Sequence, residues 1–186
     1  MEPSIVNSIF VETVSGQSID LLSPAPNHIH IIDVAHGLAL ECRWYNQIRE
    51  LYSVAQHSVM VSMLVPPEHA LWGLLHDASE AYIGDVARPL KQSPLLTGYR
   101  MIEAGLMRAV SIRFSLNMEV PASVKVADKV ALATEFRDLR GDSADVAYGK
   151  AGAMPVAQRI VPVSSETARR LFLNRYREIT SRGLAL

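Results

Sequence analysis

Leu71-Trp-Gly-Leu-Leu-His-Asp-Ala-Ser-Glu80 is the stretch whose reading decides the fold. Leu71, Leu74, Leu75, Ala78, Ala81 and Tyr82 recur at helical spacing and share one arc, as an amphipathic helix requires. His76, Asp77 and Glu80 fall on the opposite arc. Adjacent helical residues point about 100° apart, so His76 and Asp77 share a task only if something compact lies between them. A metal ion about 2 Å from a ring nitrogen and a carboxylate oxygen is such an object. Glu80 lies four residues after His76 and three after Asp77, one turn further along. Gly73, one turn before the dyad, projects the same way and leaves room for a ligand. The competing reading makes the three polar residues a solvated helix face, which is a common feature.

Working outward, Pro66-Pro67 starts this helix, which the spacing carries to about Tyr82, and ends the one before it. That earlier helix opens at Ser53, whose partner Gln56 completes a capping-box signature, and runs through Val65. Ile31–Cys42, Leu95–Phe114 and Ser123–Arg140 also carry apolar residues at helical spacing. Residues 141–163 read as a long loop, and Ser164-Ser165-Glu166 caps a final helix to about Arg182. Upstream, Phe10–Val14 and Ile19–Leu22 flank Ser15-Gly16-Gln17-Ser18 and predict a short β-hairpin. The expected fold is all-α, a compact helical bundle with that hairpin as its strand element. One domain of 186 residues accommodates it: an N-terminal extension (1–28), a core (29–140), and a loop with a C-terminal helix packing on that core (141–186).

Composition excludes several classes. Hydrophobic residues make up 49% and charged residues 20%, which describes a folded chain with a core. A net charge of −1 gives no basic field for a nucleic-acid polymer. Cys42 is the single cysteine, so neither an internal disulfide nor a thiolate zinc cluster is available. No basic start followed by an apolar run resembles a signal peptide, and no apolar stretch reaches membrane-spanning length. The expectation is a cytoplasmic protein without a membrane partner.

All six histidines lie at or before position 76. His57 shares a helical face with Val54, Met60, Val61 and Leu64, so it points into an apolar stripe and needs a partner for each ring nitrogen. That partner is a backbone carbonyl in the ordinary case and a metal in the functional one. Asp128 repeats the anomaly beside Val124, Ala131, Leu132 and Leu139. A carboxylate buried alone costs several kcal/mol, so a lysine, an arginine or a metal must meet it. His28, His30, His36 and His69 show no ligand spacing and read as bystanders.

Four segments occur in order: Arg43-Trp44, Tyr52-Ser-Val-Ala-Gln-His-Ser58, His76-Asp-Ala-Ser-Glu-Ala-Tyr-Ile-Gly-Asp85 with Pro89-Leu-Lys91, and Lys125-Val-Ala-Asp128. Together they resemble the HD-domain metal-dependent phosphohydrolases, helical proteins defined by the pattern H…HD…D. The branch they look like contains the bacterial 5′-deoxynucleotidases and related phage deoxynucleoside triphosphate hydrolases. The resemblance spans about residues 31–140. It implies that His57, His76, Asp77 and Asp128 bind one divalent cation, and that Glu80 orients or deprotonates the attacking water. It also implies that Arg43 holds a phosphate, Trp44 packs near the sugar, Asp85 lies on the nucleoside side, and Lys91 makes a second phosphate contact. Gln56 departs from the glutamate usual before the first histidine, which alters a charge behind that ligand.

The chemistry suits such residues. Phosphate esters need enhancements up to ~10²¹ in the slowest cases. A metal can neutralise phosphoryl oxygens and acidify a water, a carboxylate can take its proton, and an arginine can grip the remaining oxygens. Two imidazoles with carboxylates suit Mn²⁺, Co²⁺, Fe²⁺, Ni²⁺ or Zn²⁺. A di-iron oxygenase would need histidines after position 76, and none exists. Other readings are a guanosine tetraphosphate-type hydrolase and a non-catalytic helical module cross-linked by metal. The spacing of the C-terminal helix brings Ala168, Leu171, Phe172, Arg175 and Tyr176 onto one face, to pack on the core or on a neighbouring copy, and the resemblance implies a homo-oligomer.

Overall fold

A computed structural model describes residues 8–182. Residues 1–7 of the expected N-terminal extension and 183–186 of the expected C-terminal segment lie outside the described residues. The architecture is helical, with one small antiparallel hairpin. Strands β1 (Phe10–Glu12) and β2 (Ser18–Asp20) pair with Val11 opposite Ile19. Gly16 takes a φ of 81° at the turn between them, where residues with a Cβ are strained. Ile19 is fully buried in the main core, so the hairpin caps the bundle.

The helices are α1 (Ile31–Leu40), α2 (Val54–Leu64), α3 (Ala70–Leu75), α4 (Glu80–Ile83), α5 (Arg88–Lys91), α6 (Thr97–Arg113), α7 (Ala122–Leu139), α8 (Ala144–Ala151) and α9 (Ser165–Arg182). Central α2 packs against α1, α3, α7 and α9. It is buried on nearly every side, through Val54, Ala55, His57, Ser58, Val59, Val61 and Ser62, and that leaves it without one apolar stripe. Two groups of side chains fill the interior. One gathers Val34, Leu38, Leu74, Leu75, Leu106, Val110 and Phe172. The other gathers Val61, Val65, Trp72, Val124, Ala127 and Ala131 between α2, α3 and α7.

Three local expectations change. The helix expected to run to Tyr82 is interrupted at the dyad: residues 76–79 form turns between α3 and α4. Ala78 N–H donates to Leu75 O and Glu80 N–H to Asp77 O, each at 3.0 Å. Gly73 does not make room for a ligand. A Cβ there would lie 2.9 Å from Ser62 Cα and 3.2 Å from Ser62 N, so Gly73 lets α3 approach the backbone of α2.

The expected 141–163 loop contains α8, capped by Ser143 Oγ accepting from Val146 N and closed by Gly152 at φ 71°. Its buried residues are Ala147 and Ala151, a pair too small to register as an apolar stripe. The segment after it is an extended strap tied to α2 and α7. Val156 N–H donates to Thr134 Oγ1 (3.1 Å), Ile160 N–H to Asp138 Oδ2 (2.8 Å) and Val163 N–H to Gln56 Oε1 (3.1 Å). Gln56 Nε2 also donates to Val161 O at 2.8 Å. The Ser53 cap forms as expected, with its hydroxyl accepting from Gln56 N at 3.2 Å, while the Gln56 side chain serves the strap.

Candidate metal centre

α2 delivers His57 with no solvent exposure, and the end of α3 delivers His76. Each ring is fixed by its Nδ1. His57 Nδ1 lies 2.6 Å from Glu135 Oε1. His76 Nδ1 lies 2.9 Å from the carbonyl of Gly73, one of the carbonyls that a helix end leaves without a partner. A carbonyl and an ionised carboxylate can only accept, so both Nδ1 atoms carry hydrogen. Burial and Arg43 lower His57, but Glu135 and Asp128 carry it up to about 9; a metal would take the place of its Nε2 proton and meet a lone pair on each Nε2. Those two Nε2 atoms sit 3.3 Å apart. Asp128 Oδ1, from α7, is 3.3 Å from His57 Nε2. Asp77 Oδ2 is 3.1 Å from His76 Nε2 and 3.7 Å from His57 Nε2.

Two ring nitrogens and two carboxylate oxygens thus gather, and their complement is positive charge, a proton on His57 or a cation in its place. His57, His76 and Asp128 offer ligand atoms all within 4.8 Å of one another. Asp77 flanks this trio, turned partly to Arg43, whose Nη1 is 3.7 Å away. The donor set, two neutral imidazoles with carboxylate oxygen, fits a divalent transition metal. Burial raises both aspartates, but their neighbours outweigh it. His76, His57 and Arg43 hold Asp77 well below the usual carboxylate range, and His57 holds Asp128 down to about 2.

Glu135 was not singled out from the sequence, yet it organises the centre from behind. It is completely buried and accepts from Arg43 Nε (3.0 Å), Trp44 Nε1 (3.0 Å) and His57 Nδ1. Burial pushes it up, and Arg43 and His57 bring it below its ordinary value. It stands seven residues after Asp128 in α7, on the same stripe as Val124 and Ala131. A second acid on an apolar stripe was the available signal.

Arg43 and Trp44 reach Glu135 from an unusual turn. Trp44, Tyr45 and Asn46 take φ values of 62°, 55° and 61°, each of which costs a residue with a Cβ free energy. The two N–H bonds to Glu135 hold that turn. The indole also meets Phe136 edge-on at 4.8 Å and lies under Arg140 at 5.3 Å. Arg43 keeps a guanidinium edge toward Asp77, and Arg88, also unanticipated, sits 67% exposed with Nη2 3.7 Å from Asp128 Oδ2.

Glu80 begins α4 and is buried. Its Oε1 is 3.4 Å from Lys91 Nζ, and its Oε2 is buried without a hydrogen-bond partner. Burial first, then Asp77 and Asp85, push it up to about 10. The Asp85 N–H donates to Glu41 Oε1 at 3.2 Å, and burial raises the Asp85 carboxyl. Lys91, expected at a phosphate, is engaged by Glu80 and, at 2.6 Å, by Glu103. His30 and His69 are tied elsewhere, to Ser15 Oγ (3.4 Å) and Ser123 Oγ (2.8 Å). Gln56 faces the strap, so the departure from glutamate exchanges an acid for an amide that both donates and accepts there.

No family model matches the chain. It is 33% identical over 173 residues to the uncharacterized protein YfdR of Escherichia coli strain K12, a match covering 92% of this chain and 96% of YfdR. It is 38% identical over 153 residues to the uncharacterized protein RCAP_rcc00048 of Rhodobacter capsulatus, covering 74% and 78% respectively.

Proposed function

We propose that this chain, which belongs to the family containing YfdR and RCAP_rcc00048, hydrolyses a phosphate or triphosphate group from a (deoxy)nucleotide with the help of one divalent transition metal. The observation that carries the reading is the grouping of ligand atoms of His57, His76 and Asp128 within 4.8 Å of one another, with Asp77 Oδ2 beside them at 3.1 Å from His76 Nε2. The ordered resemblance to the HD-domain phosphohydrolases supports it. A cation bound there would polarise a phosphoryl oxygen and acidify a water. The remaining steps fall to the chain. Arg43, already aligned by Glu135, presents a guanidinium edge to phosphoryl oxygens, and Arg88 can swing in from the mouth. Glu80 has one buried oxygen without a partner, and a cation beside Asp77 would favour its ionised form, so that it can take and later return a proton. Asp85 and Trp44 border the nucleoside end.

A second reading, a metal that merely staples α2, α3 and α7, is favoured by the ligands' origin on three elements. Hydrolysis of a panel of NMP, dNMP and dNTP substrates with Mn²⁺, Co²⁺ and Zn²⁺ separates the two. Turnover of one substrate class that EDTA abolishes is expected. Metal binding without turnover of any nucleotide would leave the staple.

A further inference from the structure

Lys91 stands between two carboxylates at unequal distances. Its Nζ lies 2.6 Å from Glu103 Oε1 and 3.4 Å from Glu80 Oε1. The lysine is also fixed at its base: Arg100 Nη1 donates to Lys91 O at 2.6 Å and to Ser93 O at 2.7 Å. Tyr99 adds a bond from its hydroxyl to Gly84 O at 2.8 Å, and its ring lies 5.8 Å from the ammonium. Tyr99, Arg100 and Glu103 all belong to α6, so one helix grips both ends of the segment 84–91 and the lysine head. Glu80 Oε2 is left buried and without a partner.

Resting on the function proposed above, we infer that Glu103 is a positioning residue for Glu80, acting through Lys91. It holds the ammonium away from Glu80, so that one oxygen of Glu80 stays available for proton transfer. The physical reason is competition. An ammonium closes to about 2.7–2.9 Å on the carboxylate that binds it best, and here it is 2.6 Å from Glu103 while standing off 3.4 Å from Glu80. Without the Glu103 charge, Glu80 is the remaining carboxyl beside the ammonium, and an ammonium closing on it in that buried setting favours its ionised form. Lys91 then closes on Glu80 and occupies the group that should handle the water. The same geometry makes Lys91 a poor phosphate contact, because both of its carboxyl partners belong to the protein.

Two measurements test this. In crystals of Glu103→Gln, Lys91 Nζ should move to within about 3 Å of Glu80; an ammonium that stays at its present distance or turns to solvent overturns the inference, whatever the protein hydrolyses. In kinetics, Glu103→Gln should lower kcat roughly tenfold or more, up to the ~10²–10⁴ that such groups contribute. KM and bound metal should stay within about twofold, and Glu103→Asp should recover part of the loss. In a Lys91→Met background, adding Glu103→Gln should change kcat less than about twofold, the signature of a residue acting only through another. Additive losses, or a Lys91→Met effect confined to KM, would refute the positioning role. Absence of nucleotide turnover by the wild-type protein would strike the function and leave the crystallographic test standing.

Discussion

The ring of His76 closes the end of α3 with one nitrogen and faces His57 with the other, so a helix-end bond sets the tautomer of a metal ligand. Replacing a ligand should therefore remove the ion without unfolding the chain. Asp128→Ala and His76→Ala are expected to purify with little bound metal and no hydrolysis, measured by elemental analysis; wild-type metal content in Asp128→Ala would refute the centre. Glu135 acts at one remove. Glu135→Gln keeps the shape but weakens the hold on His57 and Arg43, and groups behind a ligand are worth ~10–100-fold in metal affinity. Titration with Co²⁺ should show a loss of that order. Glu80→Ala is expected to keep its metal and lose ~10²–10⁴ in kcat; a wild-type rate would point to the staple reading. His57 and Asp128 were legible as polar residues on apolar stripes. Glu135 lay on the same stripe as Asp128, but nothing in its spacing showed that Arg43, Trp44 and His57 would gather on it.

Helix boundaries followed the caps and prolines closely where local chemistry decides them, as at Ser53 and Pro66-Pro67. They failed where tertiary contact decides. The break between α3 and α4 spans Ala78 and Ser79, both good company for a continuing helix, and the apolar spacing runs straight through it. Gly73 is the element-scale pivot. Gly73→Ala would drive a Cβ into the α2 backbone at Ser62, at a cost of about 1–3 kcal/mol. Chemical denaturation should register that loss, and metal affinity should fall with it as His57 and His76 separate.

The strap supplies a pH test. Asp138 accepts from Arg137, Arg159 and Ile160 N. Burial opposes ionisation, but these bonds hold the carboxyl below its ordinary value. Its stabilisation is therefore present above the unfolded value of ~3.9 and fades as pH falls through the folded one. Asp138→Asn should cost roughly 1–3 kcal/mol at pH 7, and the gap to wild type should close in acid. A gap independent of pH would refute the assignment.

At the scale of the molecule, α9 has chosen the core. Ala168 and Phe172 are fully buried, and Arg175 donates to Ser62 Oγ at 3.0 Å and to Ser62 O at 2.9 Å. The core takes most of that face and leaves Leu171 exposed, so the proposal of a homo-oligomer rests on the phosphohydrolase resemblance. Light scattering at micromolar concentration should give a mass above one chain. Among the described residues no helix is long and apolar enough to cross a membrane. Because the centre joins α2, α3 and α7, an ion bound only by the folded state adds ~2.7 kcal/mol at a hundred times its Kd. Thermal denaturation should therefore shift upward with Mn²⁺ or Co²⁺ in wild type and not in Asp128→Ala.

What the sequence determined by itself was the all-helical class, the hairpin, most element ends and the residue types able to meet a cation. Those follow from periodicity, caps and turn formers, each readable within a few neighbouring residues. The tertiary structure alone decided which nitrogen of each histidine faces the centre, that Glu135 binds Arg43 and His57 across 92 and 78 positions, and that Lys91 divides itself between Glu80 and Glu103. Such partnerships depend on where separate helices come to rest, and that is fixed by close packing summed over the whole interior, with no local pattern to announce it.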